Sequence, residues 1–218
     1  MKLKAVIFDL DGVIVSTDDC HYQAWKRMAV EENIEFDREI NERLRGVSRL
    51  ESLEIILEKA SCSYMQEKKL EMSNRKNEYY IQLISTLTAD NILPGVQNLL
   101  DALKRQGIKI AIGSSSRNSP IILEKIGLSK AFDAIADGND IVNSKPDPEV
   151  FLLASKRLGV SPEHCLVIED AASGVEAALG ANMKVLGIGG AALCDQATFK
   201  AQSLEGVDAN FLINEFVK

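Results

Sequence analysis

The sequence predicts an α/β protein with a doubly wound parallel sheet of the Rossmann type and an inserted all-helical cap domain. Short apolar runs alternate with helical patterns from about residue 94 onward, and these runs lack polar alternation, which is typical of strands buried on both faces. One further run, residues 5–8, precedes a proline-free stretch rich in Glu, Lys and Arg that extends from about 18 to 87. We therefore predict a core formed by residues 1–16 and 88–218 and a cap formed by residues 17–87.

The composition of the 218-residue chain is ordinary for a globular protein, with 46% hydrophobic and 26% charged residues. The formal net charge is -7 and no basic cluster occurs, which argues against nucleic acid as a partner. The apolar run near the N-terminus is too short for a signal peptide or a membrane span, so we expect a cytoplasmic protein with no membrane partner. The four cysteines form no CxxC pair, and we expect free, buried thiols.

The first strand candidate leads directly into an acidic turn. Residues 5–8 are followed by Asp9-Leu10-Asp11-Gly12. If the strand geometry continues to Asp11, the carboxylates of Asp9 and Asp11 share one face and Leu10 points away. Gly12 then permits a sharp exit from the strand.

The inserted region carries helix signals throughout. Ser48 and Glu51 have the spacing of a capping box, and helical apolar spacing follows. A second box over residues 63–66 predicts the start of a long polar helix that ends near Ser85.

The second half of the chain alternates between helix and strand patterns. The predicted elements are a helix from Val96 ended by Gly107, a strand at 109–112, a helix opened by Ser119–Pro120, a strand at 134–136, a helix after Pro148, a strand at 166–168, a helix from Ser173 and a strand at 185–188. The weakly patterned C-terminal segment offers an edge strand at 211–213.

Polar residues follow several of the predicted strands. Asp9 and Asp11, the hydroxyls of 114–116, Lys145, and the pair 169–170 come at a strand exit or in the loop after it. Each group alone is explained by a turn, a loop, a helix cap or a solvated side chain. Together they predict one ligand-binding crevice at the carboxyl edge of the sheet.

These residue types suit phosphoryl transfer. Clustered carboxylates need a cation among them, and all-oxygen ligands favour Mg²⁺. One carboxylate can attack phosphorus to form an aspartyl-phosphate, while a second on the same face exchanges a proton with the leaving oxygen. Hydroxyl and main-chain N–H groups of the serine loop can hold the phosphoryl oxygens, and Lys145 can offset the charge that develops.

The chain resembles the haloacid dehalogenase-like phosphotransferase superfamily along essentially its whole length. The motifs that carry the resemblance are Asp9-Leu10-Asp11-Gly12-Val13, Ser114, Lys145-Pro146 and Glu169-Asp170. Within it, the insert is similar to that of the β-phosphoglucomutase family at 17–25, 44–49 with Ser52, and 75–77. Ser16 departs from the aspartate that many relatives carry before the threonine, which bears on hydrogen bonding at the hinge.

The resemblance implies a role for each matching core residue. Asp9 would be the phosphorylated nucleophile and Asp11 the acid/base. The implied metal ligands are Asp9, the Asp11 carbonyl, Asp170 and, through water, Glu169. Ser114 and Lys145 would hold the transferring phosphoryl group, with Ser115 beside them.

The implied reaction interconverts β-glucose 1-phosphate and β-glucose 6-phosphate through a 1,6-bisphosphate. Arg49 would bind the distal phosphate with Ser116 and Asn118, and His21 and Lys76 would position the sugar and Asp11. The remaining cap residues expected at the substrate are Thr17, Trp25, Gly46, Val47 and Ser52.

Several alternatives stay open. A hexose-phosphate phosphatase of the same superfamily needs the same core residues, and a non-catalytic binding module is a more distant possibility. The sugar and its anomer are undetermined. We expect the cap to move about hinges near 15–18 and 85–91. This movement would let the phosphoryl group pass to a sugar and keep water from accepting it. The expected partner is a small sugar phosphate, and a monomer is the default.

Overall fold

The computed structural model describes residues 2–44 and 47–217. Its centre is a six-stranded sheet in which every pair of neighbouring strands is parallel and the order is β3-β2-β1-β4-β5-β6. The strands are β1 Ala5–Phe8, β2 Lys109–Gly113, β3 Ala134–Ala136, β4 Cys165–Glu169, β5 Lys184–Ile188 and β6 Phe199–Ala201. The predicted doubly wound parallel sheet is confirmed.

Helices cover both faces of the sheet and fill the insertion. In the described part of the chain, four of them make up the insertion that follows β1: α1 Asp18–Glu31, α2 Arg38–Glu42, α3 Arg49–Leu57 and α4 Gln66–Ile84. The other five follow β2 or lead to it: α5 Val96–Arg105, α6 Ser119–Lys125, α7 Glu149–Leu158, α8 Ala172–Gly180 and α9 Ala209–Phe216.

The central strand β1 is buried on both faces. Val6 and Phe8 pack into one hydrophobic cluster with α5 and α6, while Ala5 and Ile7 pack into a second cluster with α7 and α8. All four side chains are fully buried. This explains why the strand shows no polar alternation.

The inserted helices have a hydrophobic cluster of their own. Trp25, Met28, Phe36, Leu53 and Met72 are its large buried members. Tyr80 and Ile84 of α4 instead join the cluster of the sheet. The division into a core and a cap at 17–87 stays a prediction, and this arrangement supports it.

The two predicted capping boxes had different outcomes. At the start of α3, Ser48 Oγ accepts from Glu51 N, and Glu51 Oε2 accepts from Ser48 N. The box predicted over 63–66 is wrong. Helix α4 begins at Gln66 behind an extended Met65 with no side-chain cap, so it starts too late for Ser63 to reach its first N–H groups.

The predicted edge strand at 211–213 is also wrong. This segment belongs to α9, which Asp208 caps through its side chain. Ala209, Leu212 and Phe216 are buried at helical spacing. The edge strand next to β5 is β6, which has one exposed and two half-buried residues.

All four cysteines are free, as predicted, but their burial differs. Cys165 is buried, Cys20 and Cys194 are half-buried, and Cys62 is exposed on the loop after α3. The prediction of buried thiols therefore fails for Cys62. Among the helices within 2–44 and 47–217, none combines the length and apolar character needed to cross a membrane.

Candidate active site

A cleft of about 870 Å³ lies between the carboxyl edge of the sheet and the inserted helices. The ends of β1, β2 and β4 and the loop after β3 all contribute to its lining, as the sequence pattern predicted. The predicted site residues that line it are Asp9, Asp11, His21, Trp25, Val47, Arg49, Ser52, Lys76, Ser114, Ser115, Ser116, Asn118, Lys145, Glu169 and Asp170.

Lys145 joins two buried carboxylates at the base of the cleft. Its Nζ donates to Asp9 Oδ1 and to Glu169 Oε1, both at 2.5 Å. The Phe151 ring lies against another side of the ammonium, 4.7 Å from Nζ to the ring centroid. Burial alone would lower the pKa of Lys145, but the Asp9 and Glu169 charges outweigh burial and raise it. Lys145 therefore stays protonated.

One ammonium does not neutralise two carboxylates. Burial raises the pKa of Asp9 to about 7 although Lys145 lowers it, and the Glu169 charge adds to the rise. Ionisation of Asp9 is therefore unfavourable unless a second cation, in addition to Lys145, lies nearby.

Glu169 is contacted from several sides. Besides the bond from Lys145 to Oε1, its Oε2 accepts from the main-chain N–H groups of Asp170 and Ala171. A Cβ on Gly174 would lie 1.9 Å from Oε1, so only glycine fits there. These contacts occupy much of the acceptor capacity of Glu169, which favours an indirect contact with a metal over a direct one.

The acids form a group that can hold a metal ion. Asp9, Glu169 and Asp170 each offer a carboxylate oxygen, and these oxygens lie within 4.8 Å of one another. Gly12, at a φ of 83°, lets Asp170 approach, since a Cβ there would lie 2.1 Å from Asp170 Oδ2. An all-oxygen set with one lysine among three acids fits a hard divalent cation such as Mg²⁺.

The serine loop after β2 is ordered by bonds within itself. Ser114 Oγ accepts from Ser116 N, and Ser116 Oγ accepts from Asn118 N. Ser115 Oγ accepts from Lys145 N at 3.4 Å. Asn118 Nδ2 donates across the cleft to Asn77 Oδ1 on α4 at 3.0 Å. The loop therefore links the lysine segment to the inserted helices.

Asp11 is turned toward the start of α1. Its Oδ1 accepts from Thr17 N and its Oδ2 from Thr17 Oγ1, both at 2.6 Å. His21 Nε2 is 3.7 Å from Oδ2. Thr17 is fully buried and does not belong to the described lining of the cleft, so its predicted substrate contact stays a prediction.

His21 and Lys76 form a pair beside Asp11. Lys76 Nζ lies 3.0 Å from His21 Nδ1 and over the rings of Trp25 and Tyr80. Burial, together with the Arg49 charge, holds the pKa of Lys76 well below its ordinary value. Burial and the Lys76 charge likewise lower the pKa of His21. A neutral His21 that accepts at Nδ1 carries its proton on Nε2, which faces Asp11.

Two guanidinium groups from distant segments of the chain, Arg49 and Arg117, line the same cleft. Arg49 begins α3, and Arg117 follows the serine loop. Burial and then the Arg117 charge lower the pKa of Arg49. Such a pair is suited to an anion that places its charge between the two groups. Gly46 lies outside the described residues.

The sequence-based prediction missed Arg117 and Tyr80. Arg117 lies between Ser116 and Asn118, which were both predicted to bind the distal phosphate. This adjacency could have identified Arg117 as a further phosphate-binding residue. Tyr80 follows Lys76 by four residues on α4, a spacing that places both on one face of the helix. The hydroxyl of Tyr80 lies 2.9 Å from Thr17 Oγ1.

The chain belongs to the haloacid dehalogenase-like hydrolase family, whose match covers residues 3–182. One relative is the β-phosphoglucomutase of Bacillus subtilis (strain 168), which is 48% identical over 189 residues, 86% of this chain and 84% of the relative. A crystal structure of β-phosphoglucomutase from Clostridium difficile superposes with a TM-score of 0.93 at 40% identity and covers 99% of this chain and 97% of that one.

A phosphatase is also among the relatives. The phosphorylated carbohydrates phosphatase of Thermotoga maritima is 34% identical over 184 residues, 84% of this chain and 83% of the relative. The comparisons therefore include both reaction types that the sequence left open.

Proposed function

We propose that this protein is a phosphomutase that interconverts β-D-glucose 1-phosphate and β-D-glucose 6-phosphate through β-glucose 1,6-bisphosphate and an aspartyl-phosphate enzyme. The observation that carries the proposal is the placement of Asp9. Its carboxylate is bonded to Lys145, lies beside Glu169 and Asp170, and faces a cleft with a guanidinium pair. The similarity to two β-phosphoglucomutases supports the same reaction.

The acidic group fits Mg²⁺, with Asp9 and Asp170 as direct ligands and Glu169 as an indirect one. The Asp11 carbonyl is proposed as a further ligand. When bound, the ion would supply positive charge that keeps Asp9 ionised and offsets charge on the phosphoryl oxygens.

Asp9 carries the phosphoryl group. Its carboxylate oxygen forms a bond to the phosphorus of the bisphosphate, and the bond from phosphorus to the sugar oxygen breaks. Asp11 gives its proton to that leaving oxygen. In the reverse direction, Asp11 removes the proton from a sugar hydroxyl, which then attacks the phosphorus and regenerates the Asp9 carboxylate.

The core residues around Asp9 stabilise this transfer. Lys145 places its ammonium 2.5 Å from Asp9 Oδ1, where it can offset the charge of an incoming phosphoryl group. Ser114 and Ser115 lie beside it on the serine loop and can donate to phosphoryl oxygens.

The other phosphate of the substrate would bind between Arg49 and Arg117, with Ser116 and Asn118 next to it. A sugar with a distal phosphate can bind Arg49 on the inserted helices and Arg117 beside the serine loop at the same time, while water cannot. Since the Asp11 carboxylate is hydrogen-bonded to Thr17, it would have to leave Thr17 to reach a sugar oxygen, and a bound sugar with a distal phosphate would favour that movement. His21, Trp25, Val47, Ser52 and Lys76 line the space that remains for the sugar.

The second candidate is a hexose-phosphate phosphatase, which the Thermotoga maritima relative favours. A phosphatase needs the same Asp9 chemistry but allows water to accept the phosphoryl group. A substrate panel separates the two. The enzyme is given Mg²⁺, a bisphosphate primer and β- or α-hexose 1-phosphates, and isomerisation is scored against free phosphate.

We expect isomerisation of a β-hexose 1-phosphate with little phosphate release. Rapid phosphate release without isomerisation would contradict the proposal and favour the phosphatase. The same panel tests glucose against its epimers. A cytoplasmic location, a monomeric state and the cap boundaries at 17–87 remain proposals.

A further inference from the structure

The loop after β3, residues 137–140, lies against the serine loop, and the proposed mechanism gives it no role. Gly138 N donates to Ser116 O at 3.2 Å. A Cβ on Gly138 would lie 2.3 Å from Ser115 O and 2.9 Å from Arg117 N, so only glycine fits this close to the main chain. The two loops therefore pack directly on each other at the segment that carries Arg117.

The same contact holds the side chain of Arg117. Its Nε donates to Gly138 O at 3.1 Å. Within the described part of the chain, this is the one hydrogen bond of the guanidinium group, so Nη1 and Nη2 have no partner there. Arg117 is exposed and lines the cleft. The end of the guanidinium that binds an anion through two parallel N–H groups is thus open to a ligand.

Asn139 holds the main chain of the same arginine. Its Nδ2 donates to Arg117 O at 2.9 Å and to Asp137 Oδ1 at 3.0 Å. Asp137 is buried, and its main-chain N–H donates to Asp140, which pairs with Arg157 on α7. Asn139 therefore joins Arg117 to a loop that is anchored to a neighbouring helix.

These bonds matter because an exposed arginine side chain has many rotamers. An anion that binds such a side chain must restrict its rotation, which weakens binding. An arginine that is held at Nε and at its main-chain carbonyl has lost part of this freedom before the anion arrives. Contacts that order Arg117 in advance therefore increase the affinity for the anion.

We propose that Asn139 is a positioning residue that, together with the Gly138 carbonyl, orders Arg117 for the distal phosphate of the substrate. This inference rests on the proposed function, because it takes the distal phosphate to bind between Arg49 and Arg117. Asn139 does not belong to the described lining of the cleft, so it acts through Arg117.

Direct binding of glucose 6-phosphate tests the inference without turnover. The measurement is titration calorimetry without Mg²⁺ and without bisphosphate. Under these conditions the clustered acids repel a phosphate from Asp9, and the guanidinium groups attract it. We expect Asn139→Ala to raise Kd by about threefold to tenfold, the effect of losing a neutral hydrogen bond. Arg117→Ala should raise Kd by about tenfold to a hundredfold, the effect of losing a charged one.

Turnover provides a second readout. With Mg²⁺ and bisphosphate, Asn139→Ala should raise KM for isomerisation by about the same factor as Kd and leave kcat within about twofold of the wild type. Phosphorylation of this variant by acetyl phosphate should also stay within about twofold, because that reaction does not use the distal phosphate site. A damaged fold would lower all of these activities together.

A double variant shows whether Asn139 acts through Arg117. Adding Asn139→Ala to Arg117→Ala should change Kd by less than about twofold, because the side chain that Asn139 orders is gone. Independent effects would instead multiply.

Asn210→Ala is the matched control. Asn210 bonds through its main-chain N–H and its Nδ2 to Asp208 Oδ1, two residues earlier, just as Asn139 bonds to Asp137. Asn210 lies on α9, however, and has no contact with Arg117. This variant should bind glucose 6-phosphate and isomerise it like the wild type.

The proposal is overturned if Asn139→Ala keeps the wild-type Kd, or if it raises Kd equally with Arg and with Ala at position 117. It is also overturned if Arg117→Ala binds glucose 6-phosphate like the wild type. A wild type that shows the expected binding pattern but does not isomerise the sugar phosphate would refute the mutase function alone.

Discussion

The Thr17 main-chain N–H and the Thr17 hydroxyl both donate a hydrogen bond to the Asp11 carboxylate, and each donor–acceptor distance is 2.6 Å. Thr17 is the residue before α1, the first of the inserted helices. The expected acid/base is therefore tied to the point where the insertion begins. We predict that movement of the inserted helices changes the position of Asp11 and leaves Asp9, which is hydrogen-bonded to Lys145, in place.

Replacing Arg49 tests the role of the cap in turnover. Arg49→Ala removes one of the two guanidinium groups, Arg49 and Arg117, that line the cleft. We expect kcat/KM for isomerisation to fall about tenfold to a hundredfold, the range for losing a charged hydrogen bond. Phosphorylation of the enzyme by acetyl phosphate should stay within about threefold of the wild type.

Arg43→Ala is the control for this prediction, because Arg43 is exposed and pairs with Glu58. It should isomerise like the wild type. If kcat/KM of Arg49→Ala equalled that of the wild type, the distal phosphate would not bind at Arg49.

Two glycines of α8 offer a matched pair of substitutions. A Cβ at Gly174 would lie 1.9 Å from Glu169 Oε1, whereas at Gly180 the nearest atoms are 3.7 Å away on Pro148. Gly174→Ala should displace Glu169 and abolish most activity. Gly180→Ala should keep activity and raise the free energy of unfolding by a few tenths to about 1 kcal/mol. Activity assays and thermal unfolding of both variants check this.

Metal binding should release a proton near neutral pH. Since the pKa of Asp9 is raised to about 7 without a metal, a large share of the protein carries a proton there at pH 6.5. Mg²⁺ favours the ionised carboxylate, so its addition at pH 6.5 should release a proton. Above about pH 8.5 Asp9 is already ionised and the release should vanish.

Titration calorimetry in buffers of different ionisation enthalpy measures this release. Asp9→Asn should release no proton at either pH. A release that grew with increasing pH would contradict the assignment.

The cysteines should differ sharply in reactivity. Burial raises the pKa of Cys165 to about 12, so at pH 8 it remains a thiol and does not act as a nucleophile. Cys62 is exposed and should react first with a thiol reagent. Mass mapping after brief labelling should find Cys62 modified and Cys165 modified only after denaturation. Rapid labelling of Cys165 in the native protein would contradict its burial.

Local pattern was enough to predict much of the fold. Five of the six described strands were predicted because buried parallel strands are continuously apolar, while the half-exposed edge strand β6 was missed. The polar residues at or after the strand exits identified Asp9, Lys145 and Glu169 as neighbours. The parallel register brings the ends of β1, β2 and β4 to one edge, so no long-range information was needed for this part of the site.

Contacts between distant segments could not be predicted in the same way. The bond from Thr17 to Tyr80 spans 63 positions, and neither residue has a pattern that points to the other. The electrostatic contact of Arg49 with Arg117 depends on how the inserted helices sit over the sheet. Segment 211–213 was misassigned because a short apolar run fits a strand and a helix equally well, and the Asp208 cap decides between them.

Phosphorylation of Asp9 is the central claim, and mass spectrometry of the enzyme after treatment with acetyl phosphate and Mg²⁺ tests it most directly. The wild type should gain one phosphoryl group that hydroxylamine removes, located at Asp9 by peptide mapping. Asp9→Asn should gain none and should lose about a thousandfold or more of its turnover, while Asp101→Asn, at an exposed position on α5, should match the wild type. A phosphoryl group on the Asp9→Asn protein, or turnover of that variant within about tenfold of the wild type, would contradict the account.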